Sequence, residues 1–188
     1  MAEAGPRGVA SPNSQSEEIM TATESASDWQ CGKRLHECFD HLFTSGLAAD
    51  VTFLVGKHQK RVTAHRLVLI SRSPVFYAML EGPMAEKGEI TIPDISEKIF
   101  IGFLRFLYTD RICFTEKNVF PILNAARKYC VDILVSRCEK FLSSNLSEAN
   151  ACLFMEHAHL YSMDQIKMDC LKLISGSANS YTAVFIIY

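Results

Sequence analysis

The stretch Ala49–Leu80, ADVTFLVGKHQKRVTAHRLVLISRSPVFYAML, decides how this chain folds. Asp50-Val51-Thr52-Phe53-Leu54-Val55 alternates with period two and is rich in β-branched residues, which predicts a strand with one buried face. Gly56–Lys60 reads as a polar turn, and Arg61–Ala64 as the returning strand of a hairpin. Ala64-His65-Arg66 leads into an apolar helix over Arg66–Ser71. Ser73-Pro74 then opens a second helix, Pro74–Leu80. Ser73 serves as its N-cap, and Pro74 sits in the first turn, where a missing N–H costs nothing.

Upstream, Asp28 is placed to cap a helix over Trp29–Thr44, in which Leu35, Cys38, Phe39, Leu42 and Phe43 recur at spacings of three and four. Ser45-Gly46 ends it. Downstream, Glu81-Gly82-Pro83 breaks the chain and Glu89–Ile92 is a short strand halted by Pro93. Ser96 is read as the cap of a central helix with Ile99, Phe100, Phe103, Leu104 and Leu107 on a wide apolar stripe. Thr115 starts a helix over Glu116–Tyr129, which Pro121 is expected to kink. Val131, Leu134, Cys138, Phe141 and Leu142 define the next helix, and short helices follow over Ser147–Met155, His157–Tyr161 and Asp164–Leu173. The end, Ala183–Tyr188, is apolar, uncharged and β-prone, an aggregation hazard where exposed.

The 188 residues suit one well-cored domain and a small annex. Hydrophobic residues make up 48% of the chain, enough for a core, and a net charge of -2 gives no pull toward nucleic acid or an anionic membrane. Lys57, Lys60 and Arg61 form a basic cluster without the interleaved aromatics that base stacking needs. No apolar run reaches the roughly 18 residues that span a bilayer. Residues 1–27 lack the apolar core of a signal peptide and read as a disordered segment. Seven scattered cysteines fit reduced thiols, hence the cytoplasm, with the nucleus as a second compartment.

Catalytic and metal chemistry finds no constellation. His157 and His159 diverge on a helix, His36 and His41 also face apart, and Cys130 and Cys138 have no CxxC partner. No P-loop, dinucleotide fingerprint or nucleophile elbow occurs. A redox role for Cys130 and Cys138 beside Lys128 and Arg137 is weighed against plain burial, and burial is preferred. No cofactor is expected.

The residues Asp50-Val51, Ala64-His65-Arg66, Ser73-Pro74-Val75-Phe76, Phe103–Thr109 and Ala125–Tyr129, in this order, resemble the BTB/POZ family. The resemblance implies an α+β fold, a small sheet flanked by a cluster of helices, over residues 28–143. Residues 144–175, with Asn150-Ala151, Ala158, Tyr161, Cys170 and Ile174, resemble the first helices of the BACK region that follows many such domains. Trp29-Gln30 and Leu47–Asp50 are most similar to BTB–BACK proteins ending in a PHR-type β domain. The helical pattern stops near Ser175 and residues 176–188 do not continue it, so a form truncated within the BACK region is expected.

The family implies a non-catalytic protein-interaction adaptor. Its dimer surface maps onto Leu35, Phe39, Leu42 and Phe43 of the first helix, with Asp50 and Arg66 as paired charges at the seam. A two-fold interface of about 1,200–2,000 Å² would cover that helix. Met84-Ala85-Glu86 falls where cullin-binding members carry a hydrophobic-X-Glu loop, with Met84 a flexible apolar knob and Glu86 a hydrogen-bond acceptor. Tyr129 is a further contact candidate whose alternative place is the core. The expected partners are a second copy or a longer form of the chain, cullin-3, and a substrate protein the residues do not identify. The implied role is a substrate adaptor, or a competing short form, of a cullin-3 RING ubiquitin ligase. A scaffold that binds a corepressor or structural partner in its dimer groove stands as the alternative.

Overall fold

In the computed structural model, the alternation at Val51–Val55 becomes strand β1, with Val51, Phe53 and Val55 buried and the residues between them half-buried. The structure describes Met1, residues 29–83 and residues 85–177. These divide into two units, one ending at Arg34 and one beginning at Leu35. β1 pairs antiparallel with β2, Lys60–Ala64, so that Val51 faces Ala64 and Phe53 faces Val62. The polar link turns through Gly56 and Gln59, both at positive φ. β3, Ile90–Ile92, lies parallel on the other side of β1, opposite Phe53–Val55, giving the order β2-β1-β3. All three strands bury residues of alternating position, so one face of the sheet is apolar.

Helices surround the buried core to which that face belongs. They are α1 (Leu35–Ser45), α2 (Arg66–Arg72), α3 (Pro74–Glu81), α4 (Glu97–Thr109), α5 (Val119–Lys128), α6 (Asp132–Asn145), α7 (Ala151–Leu160) and α8 (Asp164–Ser177). The small sheet with its helical cluster is the expected α+β architecture. α4 supplies the centre: Phe100, Phe103, Leu104 and Phe106 are fully buried. Tyr129 stacks on Phe76 at 4.4 Å and on Phe103 at 5.3 Å between ring centroids, which joins α3, α4 and the end of α5 in one aromatic cluster. Ser73 caps α3, its Oγ accepting from Phe76 N–H at 3.1 Å while donating to the Tyr129 carbonyl at 2.6 Å.

Several boundaries differ from the sequence reading. The first helix begins at Leu35, not Trp29, because Gly32 takes φ +71 in a turn closed by Lys33 N–H on the Gln30 carbonyl. Asp28, its expected cap, lies outside the described residues. Ser96 precedes α4 without capping it through its side chain. Pro121 kinks nothing: α5 starts at Val119, so the proline falls in the first turn, whose N–H groups have no helical partner. The two short helices expected between Ser147 and Tyr161 are the single helix α7. It ends on Ser162 at φ +53 with Met163 N–H bonded back to the Ala158 carbonyl. α5 ends in the same way, through Cys130 at φ +51 and Val131 N–H on Ala126 O. Residues 178–188, including the apolar end, lie outside the described residues. No described helix is long and apolar enough to cross a membrane.

Candidate protein-interaction surface

The first helix is fastened to the domain along one side. Phe43 packs on the Tyr108 ring at 4.8 Å and Phe39 meets its edge at 6.4 Å. Asp40 accepts from Arg105 Nε at 2.6 Å, and Thr44 Oγ1 accepts from the same guanidinium at 3.2 Å. Phe39, Leu42 and Phe43 end half-buried, and Leu35 stands 75% exposed. Across from it, Leu67 of α2 is 71% exposed. Between them runs a groove of about 570 Å³ floored by Phe39, Val68 and Leu107. The Nε2 atom of His36 is closed off in its wall with no hydrogen-bond partner. One end is polar, where Arg72 pairs with Asp110 and both Arg72 and Arg137 lie over the Phe106 ring.

The polar residues that mark the family-like stretch do not line this groove; they fix the start of α2, and His65 bonds to Tyr108 of its lining. The Asp50 carboxylate accepts from the Arg66 backbone N–H at 2.6 Å, at the start of α2. The Arg66 guanidinium turns the other way, to Glu81 at 2.8 Å and the Leu80 carbonyl. Asp50 and Arg66 are therefore neighbours without a side-chain ion pair, and neither is buried. The expectation of paired charges is corrected to a carboxylate on a helix-start amide. His65 bridges Tyr108 and the 46–50 loop. Its backbone N–H donates to the Tyr108 hydroxyl at 2.6 Å, its Nδ1 lies 2.8 Å from that hydroxyl, and its Nε2 lies 2.7 Å from the Leu47 carbonyl. The carbonyl can only accept, so Nε2 carries the proton and Nδ1 accepts from the phenol. Burial pushes the Tyr108 phenol up to about 12.

The second expected surface is the loop after α3. Gly82 is demanded there, since a Cβ would meet the Ala78 carbonyl oxygen at 2.3 Å. Ala85 N–H bonds to Gly82 O and Glu86 N–H to Met79 O, which fixes the loop against α3 and leaves the Glu86 side chain exposed. Met84 lies outside the described residues. Tyr129 has no exposed surface from which to touch a partner, so the contact assigned to it is corrected to a core position. Its hydroxyl is buried without a hydrogen-bond partner, and burial raises the phenol further, with the Asp94 and Glu86 carboxylates adding to the rise.

The cysteines are all free. Burial raises the Cys138 thiol to about 12, which suits a core side chain and not a reactive thiolate. Cys130 is exposed, against the expected burial, because it occupies the left-handed turn after α5. Among the described residues no group of three His, Cys, Asp or Glu is arranged to hold a metal. Leu67 is a groove residue that the sequence reading missed, while Leu107, read as part of the central apolar stripe, is buried there and also lines the groove floor. The signal for Leu67 was an apolar residue beside the buried pair Val68-Leu69, where a single covered face would have left a polar one.

Comparison with known proteins places these features together. A family model described as BTB/POZ domain matches residues 39–146. The chain is 37% identical over 157 residues to BTB/POZ domain-containing protein 6 of Xenopus laevis, an overlap covering 81% of this chain and 30% of that protein. It is 36% identical over 154 residues to the Homo sapiens protein of the same name, with 80% and 29% covered. The identity to Homo sapiens BTB/POZ domain-containing protein 3 is 36% over 140 residues, with 73% and 27% covered. The chain thus spans under a third of the length of these relatives.

Proposed function

The chain belongs to the BTB/POZ domain family, and from that premise we propose that it is a dimeric protein-interaction adaptor of a cullin-3 ubiquitin ligase. BTB domains are mostly interaction modules, not enzymes. The observation that carries the reading is the pair Leu35 and Leu67, two large apolar side chains 75% and 71% exposed on either side of one groove. Apolar surface of this kind, framed by fixed polar contacts, is what an interface covers. A second copy would set α1 against α1 across a two-fold axis, so that each exposed leucine is buried once in each protomer.

Cullin-3 engagement is assigned to Met84 and Glu86. Support comes from the exposed Glu86 side chain on a loop held by Gly82 and by backbone bonds to α3. Residues 28–143 are the BTB/POZ domain in this reading, and residues 144–175, which carry the helix pair α7 and α8, open a BACK region; the BTB–BACK–PHR type rests on the sequence resemblance alone. The substrate would be held by parts of a longer protein, and the site of action is the cytoplasm, with the nucleus second.

Two measurements test this. Light scattering across a concentration series is expected to give a dimer that Leu35→Asp with Leu67→Asp converts to a folded monomer; a wild-type monomer at micromolar chain overturns the dimer. Pull-down of cullin-3 is expected to fail for Met84→Asp with Glu86→Ala while the dimer persists. Unchanged capture removes the loop assignment and leaves the scaffold that binds a corepressor in the dimer groove.

A further inference from the structure

The two cysteines of the helix pair α7 and α8, Cys152 and Cys170, belong to none of the surfaces above. Residues 161–163 join these helices, and Met163 N–H on the Ala158 carbonyl closes the turn. The chain thus doubles back as a helical hairpin. Each residue advances a helix by about 1.5 Å, so residues equally far from the turn lie at one level. The buried residues follow that rule to within one position: Ala158 with Met163, Phe154 with Ile166, and Ala151 with Cys170. Cys152 comes directly after Ala151, and it and Cys170 are equally far along the chain from Tyr161.

The two thiols meet water differently. Cys152 is exposed, whereas Cys170 is fully buried. Burial raises the Cys170 thiol, the Asp169 carboxylate adds to the rise, and a charge on Cys152 adds again, so the two sulfurs lie within electrostatic reach. The other exposed cysteines, Cys31, Cys113 and Cys130, lie outside the helices. Facing Cα atoms of helices packed about 8–10 Å apart come within the roughly 4.4–6.8 Å that a disulfide spans. Cys152 stands one residue, about 100°, round the helix from Ala151. Joining it to Cys170 therefore rolls the first turn of α7 toward α8.

We propose that Cys152 and Cys170 are a peroxide-reactive dithiol that closes to a disulfide across the α7–α8 hairpin. The Cys152 thiolate attacks hydrogen peroxide. An S–O bond forms as the O–O bond breaks, and the departing hydroxide takes up the proton that the thiol gave up, leaving as water. Cys152 is then a sulfenic acid. The Cys170 sulfur displaces its hydroxyl: the S–S bond forms, the S–O bond breaks, and the Cys170 proton leaves in a second water. Two thiols lose two electrons, and one peroxide becomes two waters. The order follows from exposure, because of the two sulfurs only Cys152 is open to peroxide. Neither the dimer nor the cullin loop enters this reaction.

The test treats the whole reduced chain with stoichiometric hydrogen peroxide, blocks remaining thiols with iodoacetamide, and digests with trypsin without reductant. Cleavage after Lys167 parts the two cysteines, so the bond is read by mass as residues 141–167 linked to residues 168–172. That link is expected as the main disulfide, formed within single chains and reversed by dithiothreitol. Cys170→Ala is expected to strand Cys152 as a sulfenic acid, with severalfold more dimedone labelling than the wild type. Cys152→Ser leaves Cys170 a free thiol, and Cys113→Ser with Cys130→Ser keeps the bond. Three results overturn the proposal: no such link in the wild type, Cys152 joined chiefly to another cysteine or another chain, or dimedone labelling of Cys152 no higher in Cys170→Ala.

Discussion

In α4, Phe100, Phe103, Leu104 and Leu107 are each 3% exposed or less, whereas α1, with the same three-and-four spacing at Leu35, Phe39, Leu42 and Phe43, buries none of its residues fully. The two helices have comparable apolar stripes and differ in their neighbours. α4 packs against α1, α2, α5 and β2, while α1 packs chiefly on α4. Periodicity therefore identifies a face that seeks cover, and only topology says whether the same chain provides it. Where it does, the stripe is core. Where it does not, as at Leu35 and at Leu67 opposite, large apolar side chains stay exposed, which is the ground for proposing an interface there.

The sharpest way to break this contrast is to truncate one residue from each stripe. Phe103→Ala is expected to cost about 3–5 kcal/mol in chemical denaturation, the range for removing a fully buried phenylalanine. Leu35→Ala should leave the low-concentration stability within about 0.5 kcal/mol. The proposed dimer would make the wild-type unfolding midpoint rise with chain concentration, and Leu35→Ala would then flatten that rise. A Leu35→Ala cost equal to that of Phe103→Ala at every concentration would mean that α1 is covered within one protomer.

The same contrast explains what could be read in advance. The hairpin, the Ser73-Pro74 helix start and the stripes of α4 and α6 were legible because each rests on local spacing or local capping chemistry. The missed boundaries rest on backbone features that spacing does not carry. Gly32 stops α1 short through a positive φ, and the ends of α5 and α7 are closed by Cys130 and Ser162 in a conformation usually left to glycine. The surface residues divide in the same way. Leu35 was visible as part of a stripe. Leu67 was not, because an outward leucine next to two buried residues looks like core until its neighbours are known. Tyr129 could be placed on either side from its spacing, and the ring stack with Phe76 and Phe103 decides for the core.

Tyr129 also gives the finest test of the contrast, because its polar atom sits where no partner can reach it. A buried hydroxyl with no hydrogen bond works against the fold, so Tyr129→Phe keeps the ring stack, removes the mismatch and should raise stability by about 1 kcal/mol. The effect must grow in alkali. Burial holds the phenols of Tyr108 and Tyr129 above their ordinary value of 10.0, so folding keeps protons that the unfolded chain releases. Stability is then full below pH 10.0 and falls as the pH rises past it, for Tyr108 through about 12. Tyr129→Phe removes one of these two groups and should move alkaline unfolding, followed by circular dichroism, to higher pH. Tyr108→Phe would relieve the same titration but break the bridge through His65, so its gain at high pH comes with a loss at neutral pH. A Tyr129→Phe variant weakened by about 1 kcal/mol at neutral pH would mean that the hydroxyl is bonded in solution; the centre of the core would then be matched in polarity as well as in shape.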